Sequence, residues 1–319
     1  MQNVQGLTGK DKRLNSLVDT LVDLMITNNI MVYFIQETWI VGSRGKLVRE
    51  HMVFQHNREE RIIGFKGKIP GRVAIILSSK AVEVWRAVRL KPPIMTPMDS
   101  PFIGRFIGVK LSFPQINQYE KQVQGNTTIF VASVYRPVDK FEHIDFIDIL
   151  SFIMSSVPKT AKFIGGHDVN ANLGTRSKMY RKTLYPWGIY NRNIKVGILL
   201  GLFSHNQLKI SNRFFKKPSF VTWRSFRKMR SPHMLDVISV SENFFKCVRN
   251  CGAFKKGMRS DHSALRVDLM NQSIEYKTKF TKIPVIDWKS IKERDKFNEY
   301  FNVNLSNRLL EPFKYTDFN

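Results

Sequence analysis

The stretch FIGGHDVNANLG, residues 163–174, opens with an apolar run of strand character and passes two glycines. It then sets a histidine, an aspartate and two asparagines where the strand should end. Polar side chains at the carboxyl end of a strand in an α/β protein face a ligand crevice, because the departing loops have room there while the strand fixes their position. The same order occurs upstream. Residues 11–30, DKRLNSLVDTLVDLMITNNI, carry Leu14, Leu17, Val18, Leu21, Val22 and Met25 at helical spacing and finish in a turn-like asparagine pair. The apolar run MVYFIQETW (31–39) follows and delivers Gln36 and Glu37 at its polar end.

Further strands are predicted at VAIILSS (73–79), RFIGVKLSF (105–113) and TIFVASVYRP (128–137), the last presenting Tyr135 and Arg136 before a proline. FEHIDFIDILSFIMSS (141–156) has the pattern of a second amphipathic helix, and 195–207 that of a third. Shorter strands are expected at LKIS, FVTWRS, LDVISVS and SALRVDL, separated by basic loops. This mixture of βαβ spacing and closely spaced strands predicts an α/β protein with a mixed sheet or two packed sheets and helices outside. From residue 271 the chain turns polar and charged. A main domain over 1–270 and a linker with a C-terminal helix over 271–319 are the expected division.

Lysine and arginine number 51 against 26 acidic residues, a formal charge of +25. The sequence pI is about 10.1. A field of that size favours a polyanion, with nucleic acid the leading partner and an anionic membrane surface second. The sequence shows neither a lipidation signal nor a basic amphipathic helix with a matching apolar face. Its longest apolar stretches fall short of the ~20 residues that span a bilayer, and its amino terminus lacks a signal pattern. Cys247 and Cys251 form neither a zinc pattern nor a disulfide framework, and free thiols in a reducing compartment are expected. These features predict an intracellular protein.

Five strand ends offer polar groups: Glu37, Tyr135, Asp168 with Asn170, Asp236, and Asp261 with His262. Hard oxygen ligands, a histidine and hydrogen-bond donors are what a magnesium-dependent phosphoester hydrolase needs. In order and placement, Asn3, QETW, VYRP, GHDVNA, LDVI and SDHS resemble the motifs of the endonuclease/exonuclease/phosphatase superfamily. The resemblance covers residues 1 to about 270 and implies a four-layered sandwich, two packed mixed sheets flanked by helices, as in pancreatic deoxyribonuclease. NVQGL, QETW, GRVAIILSS, RFFKKPSFVTWRS and IDWKSI are similar to endonuclease domains of non-long-terminal-repeat retrotransposons. There the endonuclease nicks one strand of target DNA, leaving a 3′ hydroxyl. The implied cofactor is Mg2+, with Mn2+ an alternative. The implied setting is nuclear, with a reverse transcriptase encoded elsewhere as partner.

By this resemblance Glu37 is the principal metal ligand, with Asn3 and Asp261 nearby. Asp168 orients or deprotonates the attacking water, and Asn170, two residues on in an extended segment, reaches the same phosphate. His262 contacts the phosphate, held in its charged form by Asp236. Tyr135 donates to a phosphate oxygen or tunes the leaving group. Arg136, Lys216, Lys217, Arg224, Arg227, Lys228 and Arg230 are assigned to the DNA backbone, with SFRKMRSP as the loop inserted into DNA. Trp39 and Trp223 are expected in the core. Two features depart from the family pattern: His167 stands where glycine is usual, at the expected rim of the site, and the strand that normally precedes Asn3 is missing. An apurinic endonuclease, a phosphatase, or an inactive remnant that binds nucleic acid are the alternative functions.

Overall fold

The computed structural model describes residues 1–4, 14–38, 44–57, 72–87, 91–116, 122–138, 142–158, 160–175, 178–189, 196–225, 231–254, 257–258 and 260–270. The expected polar tail from 271, Trp39, and Arg227, Lys228 and Arg230 lie outside the described residues. Two sheets form the centre. The first combines β1 (Gln2–Asn3), β2 (Val32–Gln36), β3 (Arg44–Val48), β4 (His51–His56) and β5 (Val73–Leu77) in the order β1-β2-β5-β4-β3. The second contains β6 (Ile94–Met95), β7 (Phe106–Ile116), β8 (Gln122–Tyr135), β9 (Lys162–Asp168), β10 (Leu208–Ile210) and β11 (Asp236–Ser241), ordered β10-β11-β9-β8-β7-β6. Both are mixed, since β1 runs parallel to β2 and β8 to β9 while the other pairs are antiparallel. A hairpin of β12 (Val248–Phe254) and β13 (Ala264–Leu269) lies beside β1, where Met1 and Leu265 exchange backbone hydrogen bonds of 2.6 and 2.9 Å.

Helices cover the outer faces. On the first sheet, Leu21 and Met25 of α1 (Leu14–Thr27) pack on Tyr33, Ile35, Val53, Ala74 and Ile76. The asparagine pair ends α1 as the sequence suggests: Asn29 is left-handed (φ 50°), and Ile30 N–H donates to the Met25 carbonyl at 2.8 Å. That is a Schellman cap with asparagine in the glycine position. On the second sheet, α3 (Glu142–Ser155) and α4 (Val196–His205) place Phe146, Leu150, Leu199 and Phe203 against Phe106, Phe130 and Phe163. Those three rings form a row across neighbouring strands, at 6.5 and 6.0 Å between centroids.

Several elements escaped the sequence pattern. The β3–β4 hairpin turns on Arg49 and Glu50, both left-handed (φ 44° and 65°), instead of the Asn-Gly pair that advertises such turns. Arg49 is tied back to α1 through Asp23 and Asp19. Helix α2 (Ser79–Ala87) follows β5 directly, and short helix α5 (Glu242–Phe245) follows β11. FVTWRS is not a strand: Trp223 makes only single bridges to His233 and His262. Preceded by Pro218 and flanked by those two bridges, it serves as a brace. No helix among the described residues is long and apolar enough to cross a membrane.

The sheets approach closely at Gly166. A Cβ there would lie 2.8 Å from the Phe34 ring and 3.0 Å from the Met1 side chain. Alongside, the fully buried Gln36 amide donates to Ser133 Oγ at 3.0 Å and to the Gly166 carbonyl at 3.2 Å, while Ser133 donates to the Ile35 carbonyl at 2.9 Å. These bonds satisfy the Gln36 amide nitrogen and the Ser133 hydroxyl, which would otherwise be costly to bury between the sheets. Gly166→Ala is expected to cost about 1–3 kcal/mol through overpacking, read as a lower urea midpoint with an unchanged slope.

Candidate active site

Strand register builds the site. Tyr135 ends β8 and Asp168 ends β9, and they are direct partners across the parallel pair. Asp236 begins the antiparallel β11 and is the partner of Asp168 on its other side. Three neighbouring strands therefore present Tyr135, Asp168 and Asp236 in one row at one end of the sheet. From the facing sheet, Asn3 pairs with Gln36 and Glu37 leaves β2 at the same end. The turn before β13 adds Asp261 and His262.

Each oxygen of Asp168 is committed. Oδ2 accepts from Asn3 Nδ2 at 2.7 Å and Oδ1 from the Asn170 backbone N–H at 3.0 Å. The second bond is an Asx turn. Asn172 accepts from Met234 N–H and contacts His233 Nδ1 at 2.9 Å. Asn170 is left-handed (φ 45°), and its amide donates to the Arg136 carbonyl at 2.7 Å. Burial, and then the nearby Asp236 carboxylate, raise the Asp168 pKa, while His262, Asn3 and Asn170 work against the rise. Although β1 is only two residues long, Asn3 is fully buried and its position is fixed by Asp168 and by Ser260 Oγ, which donates to the Asn3 carbonyl at 2.8 Å.

His262 Nδ1 lies 2.8 Å from Asp236 Oδ2, and Nε2 lies 4.0 Å from Asp261 Oδ1. Burial opposes a charge on the ring. The carboxylates of Asp236, Asp168 and Asp261 outweigh it and push the pKa up to about 10. Tyr135 donates to Glu37 Oε1 at 2.6 Å, with the Arg105 guanidinium 4.8 Å from its ring centroid. Burial and the Glu37 and Asp168 carboxylates raise the Tyr135 pKa, so the phenol keeps its proton. Glu37 is half-buried and left-handed (φ 54°). Non-glycine residues in that region carry backbone strain, and such residues concentrate at functional sites.

His167 is not at the rim. It is one residue from Asp168 on a strand, so it points to the opposite face, against Phe203 of α4 at 5.1 Å, with Nε2 2.6 Å from Ser239 Oγ. Gly165 leaves room for it, since a Cβ there would meet the ring at 2.4 Å. Burial lowers the His167 pKa to about 3. Trp223 is half-buried at the site edge, donating to Asp261 Oδ2 at 2.9 Å and stacked on His233 at 5.5 Å. Arg136, expected on the surface, is 2% exposed and donates to the Val169 carbonyl at 3.0 Å. Lys216 and Arg224 are exposed, whereas half-buried Lys217 donates to Asn250.

The donor set is dominated by carboxylate oxygens, with Asp236 Oδ1 buried and unbonded among the described residues. Ligand atoms of Asp168, Asp236 and His262 lie within 4.8 Å of one another. This composition fits a hard divalent cation. A histidine protonated on both nitrogens has no lone pair for a metal, so His262 supplies positive charge itself and Glu37, at the open side, is the better-placed ligand. Sequence reasoning missed Ser260, which ties the SDH turn to Asn3, and Thr222, whose Oγ1 accepts from the backbone N–H groups of Leu235 and Asp236 at 2.9 and 3.0 Å. Both lie inside segments quoted from the sequence, SDHS and FVTWRS, but neither was given a role there, because each acts through backbone groups.

Solved structures share this arrangement of sheets and helices. The endonuclease domain of TRAS1, a telomere-specific non-LTR retrotransposon, is 15% identical with a TM-score of 0.51, over 80% of this chain and 92% of that one. The 3′ phosphatase NExo from Neisseria, bound to product DNA hairpin, is 14% identical with a TM-score of 0.53, over 84% and 96%. An AP endonuclease from Archaeoglobus fulgidus gives the same identity, TM-score and coverages. No family profile and no curated protein matches the chain. The chain has the endonuclease/exonuclease/phosphatase fold, a deoxyribonuclease-like α/β sandwich.

His262 and His167 should titrate at opposite ends of the pH scale. Proton NMR is expected to find His262 still charged at pH 8 and His167 still neutral at pH 5. Asp236→Asn should bring the His262 titration down toward or below the ordinary value of about 6.5. The sign for stability follows: the His167 contribution is present above about 6.5 and lost as pH falls toward 3, and that of His262 is lost as pH rises through 10.

Proposed function

We propose that this chain is a metal-dependent phosphodiesterase that nicks one strand of DNA by direct attack of water, and that it is of retrotransposon origin. The observation that carries the proposal is the row Tyr135–Asp168–Asp236 on adjacent strands, faced by Asn3, Glu37 and His262 from the other sheet and hairpin. Likeness to the TRAS1 endonuclease domain, and to a Neisseria phosphatase whose structure holds product DNA, supports the substrate class. The +25 charge supports a polyanionic partner. A chromosomal DNA substrate gives the nucleus as location.

Asp168 has its carboxylate plane fixed by Asn3 and Asn170, and a raised pKa makes it a stronger base than a free aspartate once it is ionised. His262 turns Nδ1–H to Asp236 and carries a full charge for a phosphate oxygen at Nε2. Tyr135 is a neutral donor beside Glu37, suited to the phosphate or to the leaving oxygen. Glu37, with Asn3 and Asp261, would hold a divalent ion, which when bound would supply charge neutralisation on the phosphate and activation of water.

Supercoiled plasmid should relax in Mg2+ and not in EDTA, and Asp168→Ala and His262→Ala should each lose roughly 10²–10⁴-fold in rate. Glu37→Gln, which keeps size and loses charge, should raise the Mg2+ concentration needed for half-maximal nicking. The AP endonuclease and 3′ phosphatase neighbours favour one second function: cleavage of abasic or 3′-phosphorylated oligonucleotides with intact plasmid untouched would establish it. Salt-sensitive plasmid binding without cleavage of any substrate would mark a non-catalytic DNA-binding protein.

A further inference from the structure

Residues 169–235 contain fourteen lysines and arginines and no aspartate or glutamate. Within this acid-free run, and completed by α5, lies a chain of half-exposed rings along the edge strand β10. Tyr185, 41% exposed, stacks on Phe214 at 5.2 Å and 25°. Phe214 meets Phe245 at 4.7 Å, and Phe245 meets Phe215 at 6.4 Å. All three phenylalanines are half-buried. Lys209 Nζ sits 5.8 Å from the Phe214 centroid and 5.1 Å from that of Phe245, and exposed Lys216 lies 5.5 Å over half-buried Trp187. The acid in contact is Glu242, paired with Lys209 at 3.2 Å. Exposed Lys178, Arg181 and Lys182 precede Tyr185 along the chain.

Half-open aromatic rings at a sheet edge leave apolar surface in water, which soluble proteins ordinarily keep small. Rings interleaved with cations match a chain of stackable bases on a charged backbone. A duplex keeps its base faces inside and has nothing to offer the rings, whereas a single strand offers one face per nucleotide. Lys209 pairs in register with Val240, four residues along β11 from Asp236, or roughly 14 Å at ~3.4 Å per residue. We propose that Tyr185, Phe214, Phe215 and Phe245, with Lys209 and Lys216, form an accessory surface that binds single-stranded polynucleotide. The proposal rests on the nucleic-acid function above but not on cleavage.

The test is fluorescence anisotropy of labelled 20-nucleotide oligo(dT), oligo(U) and a 20-base-pair duplex, in EDTA, with the full chain. Tyr185→Ala/Phe215→Ala is expected to weaken single-strand binding by about ten-fold or more per stacked base lost and to leave duplex affinity unchanged. Tyr185→Phe, which retains the ring, should bind as the parent does, which separates stacking from misfolding. The dT and U arms assign the strand to DNA or RNA. Equal loss on duplex and single strand, or no loss on either, overturns the proposal, as does loss of self-association in sedimentation with single-strand affinity intact. Plasmid nicking in Mg2+ is followed in parallel: a chain that never cuts yet loses single-strand binding in the double variant keeps the surface and loses the nuclease, and the converse result does the opposite.

Discussion

The distance between the two sheets at Gly166 governs the geometry of the candidate site. Because no side chain stands there, Phe34 packs against the β9 backbone and Gln36 reaches both the Gly166 carbonyl and Ser133. One pleat further along the same strands, Asn3 meets Asp168 at 2.7 Å and Glu37 meets Tyr135 at 2.6 Å. Hydrogen bonds of that length tolerate little displacement. A wider inter-sheet gap would leave Asp168 and Tyr135 on one wall and Asn3 and Glu37 on the other, with the two hydrogen bonds between the walls broken.

Electrostatics at this end follow from the same closeness. Asp168 and Asp236 are both fully buried and adjacent across β9 and β11, an arrangement that costs free energy unless a positive group intervenes. His262 is that group: the surrounding carboxylates raise its pKa against burial, while burial first and Asp236 second raise that of Asp168 and His262 restrains the rise. On the other face of β9, His167 is apolar in behaviour, neutral and packed on Phe203. Consecutive residues of one strand thus live in opposite chemical environments.

Much of this was legible in the sequence, and the failures have physical causes. Polar residues at the ends of apolar runs located Glu37, Tyr135, Asp168, Asp236 and His262 at one end of the sandwich, because strand ends are where the chain can afford polarity. The period of two along β9 was equally readable and should have sent His167 to the outer face; position alone suggested the rim. Arg136 resembled a surface cation only because its charge was visible and its Val169 partner was not. The β3–β4 turn was hidden by having left-handed Arg49 and Glu50 where glycine or asparagine would signal it. Trp223 looked like core because its donor role toward Asp261 depends on a contact 38 residues away in sequence.

Glu37 sits where fold and chemistry pull apart. Its left-handed backbone disfavours any residue with a branched or extended side chain, and glycine or asparagine would relax it. Replacing Glu37 by glycine or asparagine would therefore ease the backbone while removing the carboxylate that accepts from Tyr135, so that a change comfortable for the fold is the one that dismantles this corner of the site.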